Sequence, residues 1–255
     1  MKFKNLCFIS SGTDEANAAL KILVNKHGNC DQVHADVIIA LGGDGFMLQC
    51  LHDFHDKGIS IYGLNRGTVG FLMNEYSQDD LINRLNNANK HVVNPLKAEV
   101  TTVDGEKHIV KAFNEVSLLR QTHQAAKLQI SINQKTRLDE LVCDGVIIST
   151  PVGSTAYNLS AHGPIIPINT PLIALTPISP FRPRNWRGAL LRDSVTVSIK
   201  ICSPQKRPVS AVADHLEIRN IEHITITKNK KSTASMLFDD KHSLEERILR
   251  EQFGY

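Results

Sequence analysis

The sequence predicts an α/β domain followed by a mainly β domain. Up to about residue 95, short apolar runs alternate with segments of helical periodicity, a pattern typical of a parallel sheet with crossover helices. Beyond that point, strand-like runs follow one another with turn signals between them. The predicted divisions are an α/β domain over 1–95, a mainly β domain over 96–235, and a helical segment over 236–255 that packs back on the first domain.

The first domain begins with alternating strands and helices. Strands are predicted over 4–10, 36–41 and 60–65, and helices over 13–28 and 46–58, the second one stopping at Gly58. Thr13 is a suitable N-cap for the first helix, because Asp14 and Glu15 follow in its first turn. The run VIIAL in the second strand is apolar without alternation, so we expect both of its faces to be covered.

The second domain is predicted to be a series of strands. The strand-like runs are 98–104, 107–120, 126–133, 195–201 and 223–228. Asp104-Gly105 and Asn133-Gln134 are turn signals between them. Helical periodicity returns only in SLEERILREQFGY at 243–255, where Leu244, Ile248 and Leu249 are the apolar positions.

Composition excludes several classes of protein. The 255 residues are 42% apolar and 22% charged, which suits one large or two modest cores and argues against disorder. The net charge of +3 gives no support to nucleic-acid binding. No apolar run approaches the ~18 residues of a membrane span, and the N-terminal apolar segment is too short for a secretory signal. We therefore expect a cytoplasmic protein with neither nucleic acid nor membrane as a partner.

The spacing of cysteines and histidines predicts neither a disulfide framework nor a metal site. The five cysteines are scattered and form no CxxC pair, which suits reduced, buried thiols. His52 and His55 have a spacing that could hold zinc. The neighbouring Asp53 and Asp56 and the polar helix face favour an exposed surface instead.

A glycine-rich loop, GGDG at 42–45, lies between the second strand and the second helix. Glycines let the backbone approach an anion, and the amides and dipole of a helix N-terminus attract it, so this order suits phosphate binding. Asp44 is unexpected there, because bound phosphate repels a carboxylate. Two interpretations stay open on this stretch alone: an Asp-Gly turn, or a carboxylate that takes a proton or faces a metal during phosphoryl transfer.

The stretch CDGVIISTPVGSTAYNLSAHGPIIP at 143–167 is rich in glycine and hydroxyl groups. Asp144 precedes an apolar strand, and Thr155, Tyr157, Asn158 and Ser160 follow it. This density of hydrogen-bonding groups predicts a binding segment. A Ser/Thr-rich turn is the alternative.

Four motifs together resemble the NAD kinase family. They are GGDG at 42–45, NRGTVGFL at 65–72, NEVSL at 114–118 and DGVIISTPVGSTAYNLSAHGPII at 144–166. GGDG alone is weak, since lipid kinases and phosphofructokinases carry related loops, whereas the Asn-Glu pair followed by STAYNLSA is specific. The resemblance covers nearly the whole chain.

The resemblance implies both a fold and a reaction. The first domain is then Rossmann-like and the second is β-sandwich-like. The implied reaction is phosphorylation of the 2′-hydroxyl on the adenosine ribose of NAD, giving NADP. The donor is ATP, another nucleoside triphosphate or polyphosphate, with a divalent metal that is usually Mg²⁺. The family also implies a homodimer or homotetramer.

For catalysis, the resemblance implies that Asp44 takes the proton from the 2′-hydroxyl. Gly42, Gly43 and Gly45 then leave room for the phosphates of the donor. A loose phosphoryl transfer depends mainly on positioning and charge neutralisation, so Asp44 need not be strongly basic. No protein metal ligand is implied.

For NAD binding, the resemblance implies contacts from Asn114 and Glu115 to the ribose hydroxyl and adenine side, and from Asp144 to the nicotinamide side. Phe71 matches a phenylalanine of the NAD pocket, with packing in the core as the alternative. The full implied NAD-binding set is Asp44, Gly45, Phe71, Asn114, Glu115, Asp144, Val152, Thr155, Ala156, Tyr157, Asn158, Leu159 and Ser160.

Four positions depart from the common family pattern. Phe46 stands where many members have threonine, and Val152 replaces a frequent threonine or serine. His162 and His215 each replace a common glycine. None of these changes removes an implied catalytic group, so they bear on donor preference and fine specificity.

Two other functions fit parts of the pattern. A lipid kinase would share GGDG and the βαβ start but would need an apolar entry for an acyl chain, which the polar TAYNLS segment disfavours. A non-catalytic dinucleotide sensor would follow if Phe46 disabled the donor site.

Overall fold

The computed structural model describes residues 3–67 and 70–240. Up to Val93 the chain alternates between strands and helices. The first three strands and first two helices lie where the sequence predicts them, whereas the third helix and fourth strand were not predicted. The elements are β1 Leu6–Ser10, α1 Asp14–His27, β2 Val37–Gly42, α2 Asp44–Phe54, β3 Ser60–Asn65, α3 Leu81–Asn87 and β4 Asn89–Val93.

From Leu96 to Phe238 the regular secondary structure consists almost entirely of strands. The strands are β5 Leu96–Thr102, β6 Lys107–Ala112, β7 Glu115–Arg120, β8 Ala126–Ile132, β9 Lys135–Cys143, β10 Gly145–Ser149, β11 Leu172–Ile178, β12 Ala189–Arg192, β13 Val197–Ile201, β14 Val209–Ala213, β15 Leu216–Ile218, β16 Ile221–Lys228 and β17 Ala234–Phe238. A 3₁₀ turn at Val152–Thr155 and a four-residue helix, α4 Tyr157–Ser160, follow β10.

The first of two compact units comprises the described residues up to Val93 together with residues 232–240. Its sheet has the order β1-β2-β3-β17-β4, in which only β4 runs antiparallel to its neighbour. Every residue of β2 is buried, which confirms the expectation of a strand covered on both faces. The Thr13 side chain accepts a hydrogen bond from the Ala16 amide and caps α1, as predicted.

The second unit, residues 94–231, contains two six-stranded antiparallel sheets. One has the order β6-β5-β16-β13-β8-β9 and the other β12-β11-β10-β7-β14-β15. Apolar residues of both sheets, such as Val100 and Ile199 from the first and Leu118 and Ile148 from the second, belong to a single buried core. The predicted fold class, an α/β domain and a mainly β sandwich-like domain, is confirmed.

Two of the sequence-based assignments are wrong, and β9, β11, β12, β14 and β15 were not among the predicted strands. The run 107–120 is not one strand but two, β6 and β7, which lie in different sheets. Residues 236–238, assigned from the sequence to a helical segment, belong to β17, which pairs with β3 and β4. The helix predicted over 243–255 lies outside the described residues.

The structure also shows the state of the cysteines and the lengths of the helices. All five cysteines are free thiols, and Cys7, Cys50 and Cys143 are buried. Within residues 3–67 and 70–240, every helix is too short or too polar to cross a lipid bilayer.

Candidate active site

Asp44 is the first residue of α2. The buried strand β2 ends at Gly42, Gly43 is the N-cap of the helix, and the Gly43 carbonyl accepts from the amides of Phe46 and Met47. The amides of Asp44 and Gly45 precede the intrahelical pattern and have no helical acceptor. The predicted glycine loop therefore lies at the carboxyl end of a parallel strand and at a helix N-terminus, which together suit anion binding.

The carboxylate of Asp44 is anchored by backbone amides of the segment after β3. Its Oδ2 accepts from the Phe71 amide at 2.7 Å, and its Oδ1 accepts from the Leu72 amide at 2.9 Å. Because both oxygens are bound, the side chain cannot rotate without losing both hydrogen bonds. Each oxygen keeps a second lone pair for another donor.

Gly70 is a site residue that sequence reasoning missed. A β-carbon at this position would lie closer than 3.0 Å to the Oδ1 and Cγ atoms of Asp44. Only a glycine lets the backbone come this close to the carboxylate. The signal in the sequence was the glycine directly before Phe71 in NRGTVGFL.

Phe46, the departure after GGDG, is half-buried. Its ring lies beside Gly42, in the space that a side chain at position 42 would need. This contact gives Phe46 a packing role at the start of α2.

Asn114 and Glu115 lie where the chain leaves β6 and enters β7. Asn114 Oδ1 and Glu115 Oε2 are both buried, and neither has a hydrogen-bond partner. A buried polar atom without a partner costs about 1–3 kcal/mol, so such atoms are typical of positions that receive a hydrogen bond from a ligand. The structure thus brings two predicted NAD contacts together with their acceptor atoms unused.

Glu115 resists ionisation. Burial raises the pKa of its carboxyl, and the negative charge of Asp214 raises it further, to about 7. Near neutral pH this carboxyl is therefore close to half protonated in the folded protein.

This raised pKa predicts a pH-dependent stability. Below pH 4.5, the ordinary value for glutamate, Glu115 is protonated in both states; as the pH rises towards 7, only the unfolded state ionises, so the folded state loses stability. A rise from 4.5 to about 7 corresponds to on the order of 3 kcal/mol. Glu115→Gln should therefore unfold like the parent at pH 4 and be more stable at pH 8, as measured by urea denaturation. A pH-independent difference would contradict the prediction.

Three side chains that follow β10 are committed to internal hydrogen bonds. Thr150 donates to the Phe113 carbonyl at 2.6 Å and accepts from the Gly153 amide. Asn158, which has no exposed surface, donates to the carbonyls of Ser154 and Pro164 and accepts from Thr176. The Ser154 hydroxyl, also fully buried, donates to the Pro151 carbonyl and accepts from the Ile166 amide.

The predicted binding segment 152–160 therefore combines structural and accessible residues. Asn158 and the buried Val152 shape the segment. Thr155, Ala156 and Leu159 are half-buried, while Tyr157 and Ser160 are exposed. Gly153 packs directly on the backbone of Asn114, where a β-carbon would lie closer than 3.0 Å to the Asn114 carbonyl. The segment is thus held against the Asn-Glu pair.

Asp144 and Glu115 lie near opposite ends of the β7–β10 pair. Ser149 of β10 faces Glu115, while Gly145, next to Asp144, faces Leu119. Four residues along a strand span about 13 Å. The pKa of the Tyr157 hydroxyl is raised by burial and by the charges of both Glu115 and Asp144, so Tyr157 lies in the field of both.

Arg120 is a second residue that the sequence did not single out. Its Nε donates to Asp144 Oδ1 at 2.5 Å, and its own amide donates to the Asp144 carbonyl. Asp144 is thus held as a paired carboxylate.

Two family models match the chain. Residues 13–93 match the ATP-NAD kinase N-terminal domain, and residues 113–237 match the ATP-NAD kinase C-terminal domain. The chain belongs to the ATP-NAD kinase family. As a member of this family it is a phosphotransferase that phosphorylates NAD to NADP with ATP as donor.

Curated relatives named NAD kinase match the chain over almost its full length. The relative from Rhizobium meliloti (strain 1021) is 54% identical over 253 residues, which cover 99% of this chain and 98% of the relative. The relative from Caulobacter vibrioides is 54% identical over 249 residues, which cover 98% of this chain and 96% of the relative.

Solved structures share the fold. Yeast NADH kinase complexed with NADH has a TM-score of 0.85 at 22% identity, covering 100% of this chain and 89% of that chain. An NAD kinase from Archaeoglobus fulgidus in complex with ATP has a TM-score of 0.73 at 21% identity, covering 93% and 94%. Membership of the ATP-NAD kinase family also argues against the two other functions, a lipid kinase and a non-catalytic sensor.

A divalent metal can be accommodated at the glycine loop. Within the residues that the structure describes, no group of three or more His, Cys, Asp or Glu side chains could hold a metal ion. Mg²⁺ does not require such a cage, because it is usually bound by one or two carboxylates together with waters and substrate phosphates. The free lone pairs of Asp44 are compatible with that donor set.

Proposed function

We propose that Asp44 accepts the proton of the 2′-hydroxyl on the adenosine ribose of NAD while the γ-phosphoryl group of ATP is transferred to that oxygen. The observation that carries this proposal is the anchored carboxylate of Asp44 at the end of the glycine loop. A carboxylate held in one orientation needs no reorganisation when the hydroxyl approaches it.

The chemistry requires little beyond positioning. The bond between the 2′-oxygen and the γ-phosphorus forms as the bond from that phosphorus to the bridging oxygen breaks, ADP leaves, and the hydroxyl proton passes to Asp44. In a loose transition state the nucleophile carries little charge until late, so a base of ordinary strength is sufficient. Asp44 therefore contributes orientation and a proton acceptor.

On the donor side, Gly42, Gly43 and Gly45 and the first amides of α2 are proposed to receive the phosphates of ATP. The positive end of the helix dipole and the unbonded amides attract negative oxygens. Asp44 would hold Mg²⁺ through water, and the metal, when bound, would neutralise charge on the phosphate oxygens.

On the acceptor side, Asn114 and Glu115 are proposed to hold the adenosine ribose. Their unpartnered oxygens, Oδ1 and Oε2, are acceptors that vicinal hydroxyl groups can satisfy. Tyr157 offers its ring for packing. Asp144, near the far end of the β7–β10 pair, is proposed to contact the nicotinamide half of the extended dinucleotide.

The remaining proposed contacts have their backbone or side chains within reach of solvent. These are Gly45, Phe71, Thr155, Ala156, Leu159 and Ser160.

The cytoplasmic location and the homodimer or homotetramer stay predictions.

The direct experiment is to incubate the purified chain with NAD, ATP and Mg²⁺ and to measure NADP. Replacing ATP with polyphosphate, or NAD with NADH, defines the breadth of donor and acceptor. The absence of NADP under all of these conditions would refute the proposed reaction.

Removing the Glu115 side chain tests the acceptor side. Glu115→Ala should raise the KM for NAD by roughly 10- to 100-fold, because a hydrogen bond to a charged group contributes about 1.5–3 kcal/mol. Turnover should also fall where the 2′-hydroxyl is mispositioned, while the KM for ATP stays close to the parent's. Titrating each substrate at saturating levels of the other measures both constants. If only the ATP constant moved, the Asn-Glu pair would belong to the donor side.

A further inference from the structure

Asp214 lies in the two-residue turn between β14 and β15, a part of the sequence with no assigned role. Ala213 and Leu216 pair across this turn, and Asp214 has a left-handed backbone with φ of 53°. A non-glycine residue in this region is uncommon, although aspartate tolerates it better than most.

The carboxylate of Asp214 binds three successive backbone amides. Its Oδ2 accepts from the Phe113 amide at 2.7 Å, and its Oδ1 accepts from the amides of Asn114 at 3.0 Å and Glu115 at 3.2 Å. The Asp214 amide in turn donates to the Glu115 carbonyl. One side chain thus fixes the backbone from which both Asn114 and Glu115 extend.

These hydrogen bonds lie where the chain changes sheets. β6 is an edge strand of one sheet, and β7 is an inner strand of the other, so residues 113 and 114 cross from sheet to sheet. Amides at such a crossing have no ladder partner, and a carboxylate can satisfy them. With three amides already bound, Asp214 has little capacity left for a substrate hydroxyl.

We propose that Asp214 is a positioning residue for the phosphorylation of NAD, because its carboxylate holds the turn that presents Asn114 and Glu115 to the adenosine ribose. This proposal rests on the proposed function of the Asn-Glu pair. It adds a residue that acts on NAD binding without touching NAD.

Asp214 also acts on Glu115 through its charge. The pKa of Glu115 is raised by burial and then by Asp214, so removing that charge should lower it. The Tyr157 hydroxyl lies in the field of Glu115, and His215 follows Asp214 in the turn, whereas Asp144 and its partner Arg120 lie near the other end of the β7–β10 pair. A purely structural role for Asp214 would leave the Glu115 ionisation in place.

The test uses Asp214→Asn, which keeps the size of the side chain but places an amide against the Phe113 N–H and removes the charge. The KM for NAD should rise about tenfold, the equivalent of one lost charge-assisted hydrogen bond, and the KM for ATP should stay within about twofold. Asp214→Gly, which adopts the left-handed turn without strain, should have the same effect and guards against a folding defect.

The pH profile separates positioning from mere folding. Because an ionised Glu115 accepts from ribose hydroxyls, kcat/KM for NAD should rise with pH through an inflection near 7 in the parent. The inflection should move to lower pH in Asp214→Asn and vanish in Glu115→Gln. A lower melting temperature with an unchanged KM for NAD and an unmoved inflection would overturn the proposal.

Measurements on the parent enzyme show whether a negative result counts against the role of Asp214 or against the proposed function. If the parent made no NADP, the proposed function would fail. Calorimetric titration with NAD, in two buffers of different ionisation enthalpy, would still report proton release linked to Glu115. Equal affinity and equal proton release in the parent and Asp214→Asn would then count against Asp214.

Discussion

Replacing Asp44 with asparagine is expected to lower turnover by roughly 10²- to 10⁴-fold while leaving the affinity for NAD close to the parent's. Asparagine has nearly the same size and can still accept from one of the two amides that bind Asp44, at Phe71 and Leu72. It cannot take the proton of the 2′-hydroxyl. The loss should therefore appear in kcat, with NAD binding measured separately by calorimetry.

Asp36 provides a matched control in the same unit. Its Oδ2 accepts from the amides of Lys4 and Asn5 at 2.8 and 2.9 Å, so Asp36→Asn also removes a carboxylate that anchors backbone amides. It immediately precedes β2, at the opposite end of that strand from the glycine loop, so turnover should stay within about twofold of the parent's. Equal turnover in the Asp44→Asn and Asp36→Asn variants would contradict the catalytic role assigned to Asp44.

Gly70→Ala is expected to lower turnover by about 10²-fold without any change in the proton acceptor itself, since a displacement of about 1 Å can have that effect. The added methyl group would overlap the Oδ1 and Cγ atoms of Asp44, so the carboxylate or the segment after β3 must move. The KM values for NAD and ATP should change less than kcat, because the variant disturbs the base rather than the binding groups.

Gly67→Ala is the control for this change. A β-carbon there would meet its nearest neighbour, the Gly43 Cα, at 3.6 Å, an ordinary van der Waals distance. Comparable kcat values for Gly67→Ala and Gly70→Ala would show that the close approach to Asp44 does not matter for catalysis.

Local sequence patterns were sufficient to predict elements that depend on neighbouring residues or on an unbroken apolar run. The cap at Thr13 depends on residues within one helical turn, and the burial of β2 follows from an apolar run with no alternation. The glycine loop combined both kinds of signal. Its position between β2 and α2 could be predicted for that reason.

The break between β6 and β7 could not be predicted from local residues. The run from Lys107 to Arg120 has the composition of one strand, and the groups that end β6 belong to Asp214, about a hundred residues later. The strand β17 was not predicted for a related reason, because its partners β3 and β4 are distant in sequence.

Motifs identified the residue types of the site but not their division of labour. Asn158 matched the family as an NAD contact, yet its amide is bonded to Ser154, Pro164 and Thr176 in the interior. Gly70 acts through its close approach to Asp44, and Asp214 acts through hydrogen bonds to amides about a hundred residues earlier, neither of which a sequence displays. The unused oxygens of Asn114 and Glu115 likewise appear only in three dimensions.

The return of the chain through β17 has a consequence for how the protein is made. When a ribosome has synthesised residues 1–93, β3 has one bare edge and β4 has no neighbour, because both pair through β17. The second unit is an insertion that must emerge in full before the first sheet can close. A nascent chain therefore carries an open strand edge for most of its synthesis, a state prone to pairing with other chains. Premature termination before Ala234 would leave that edge open permanently.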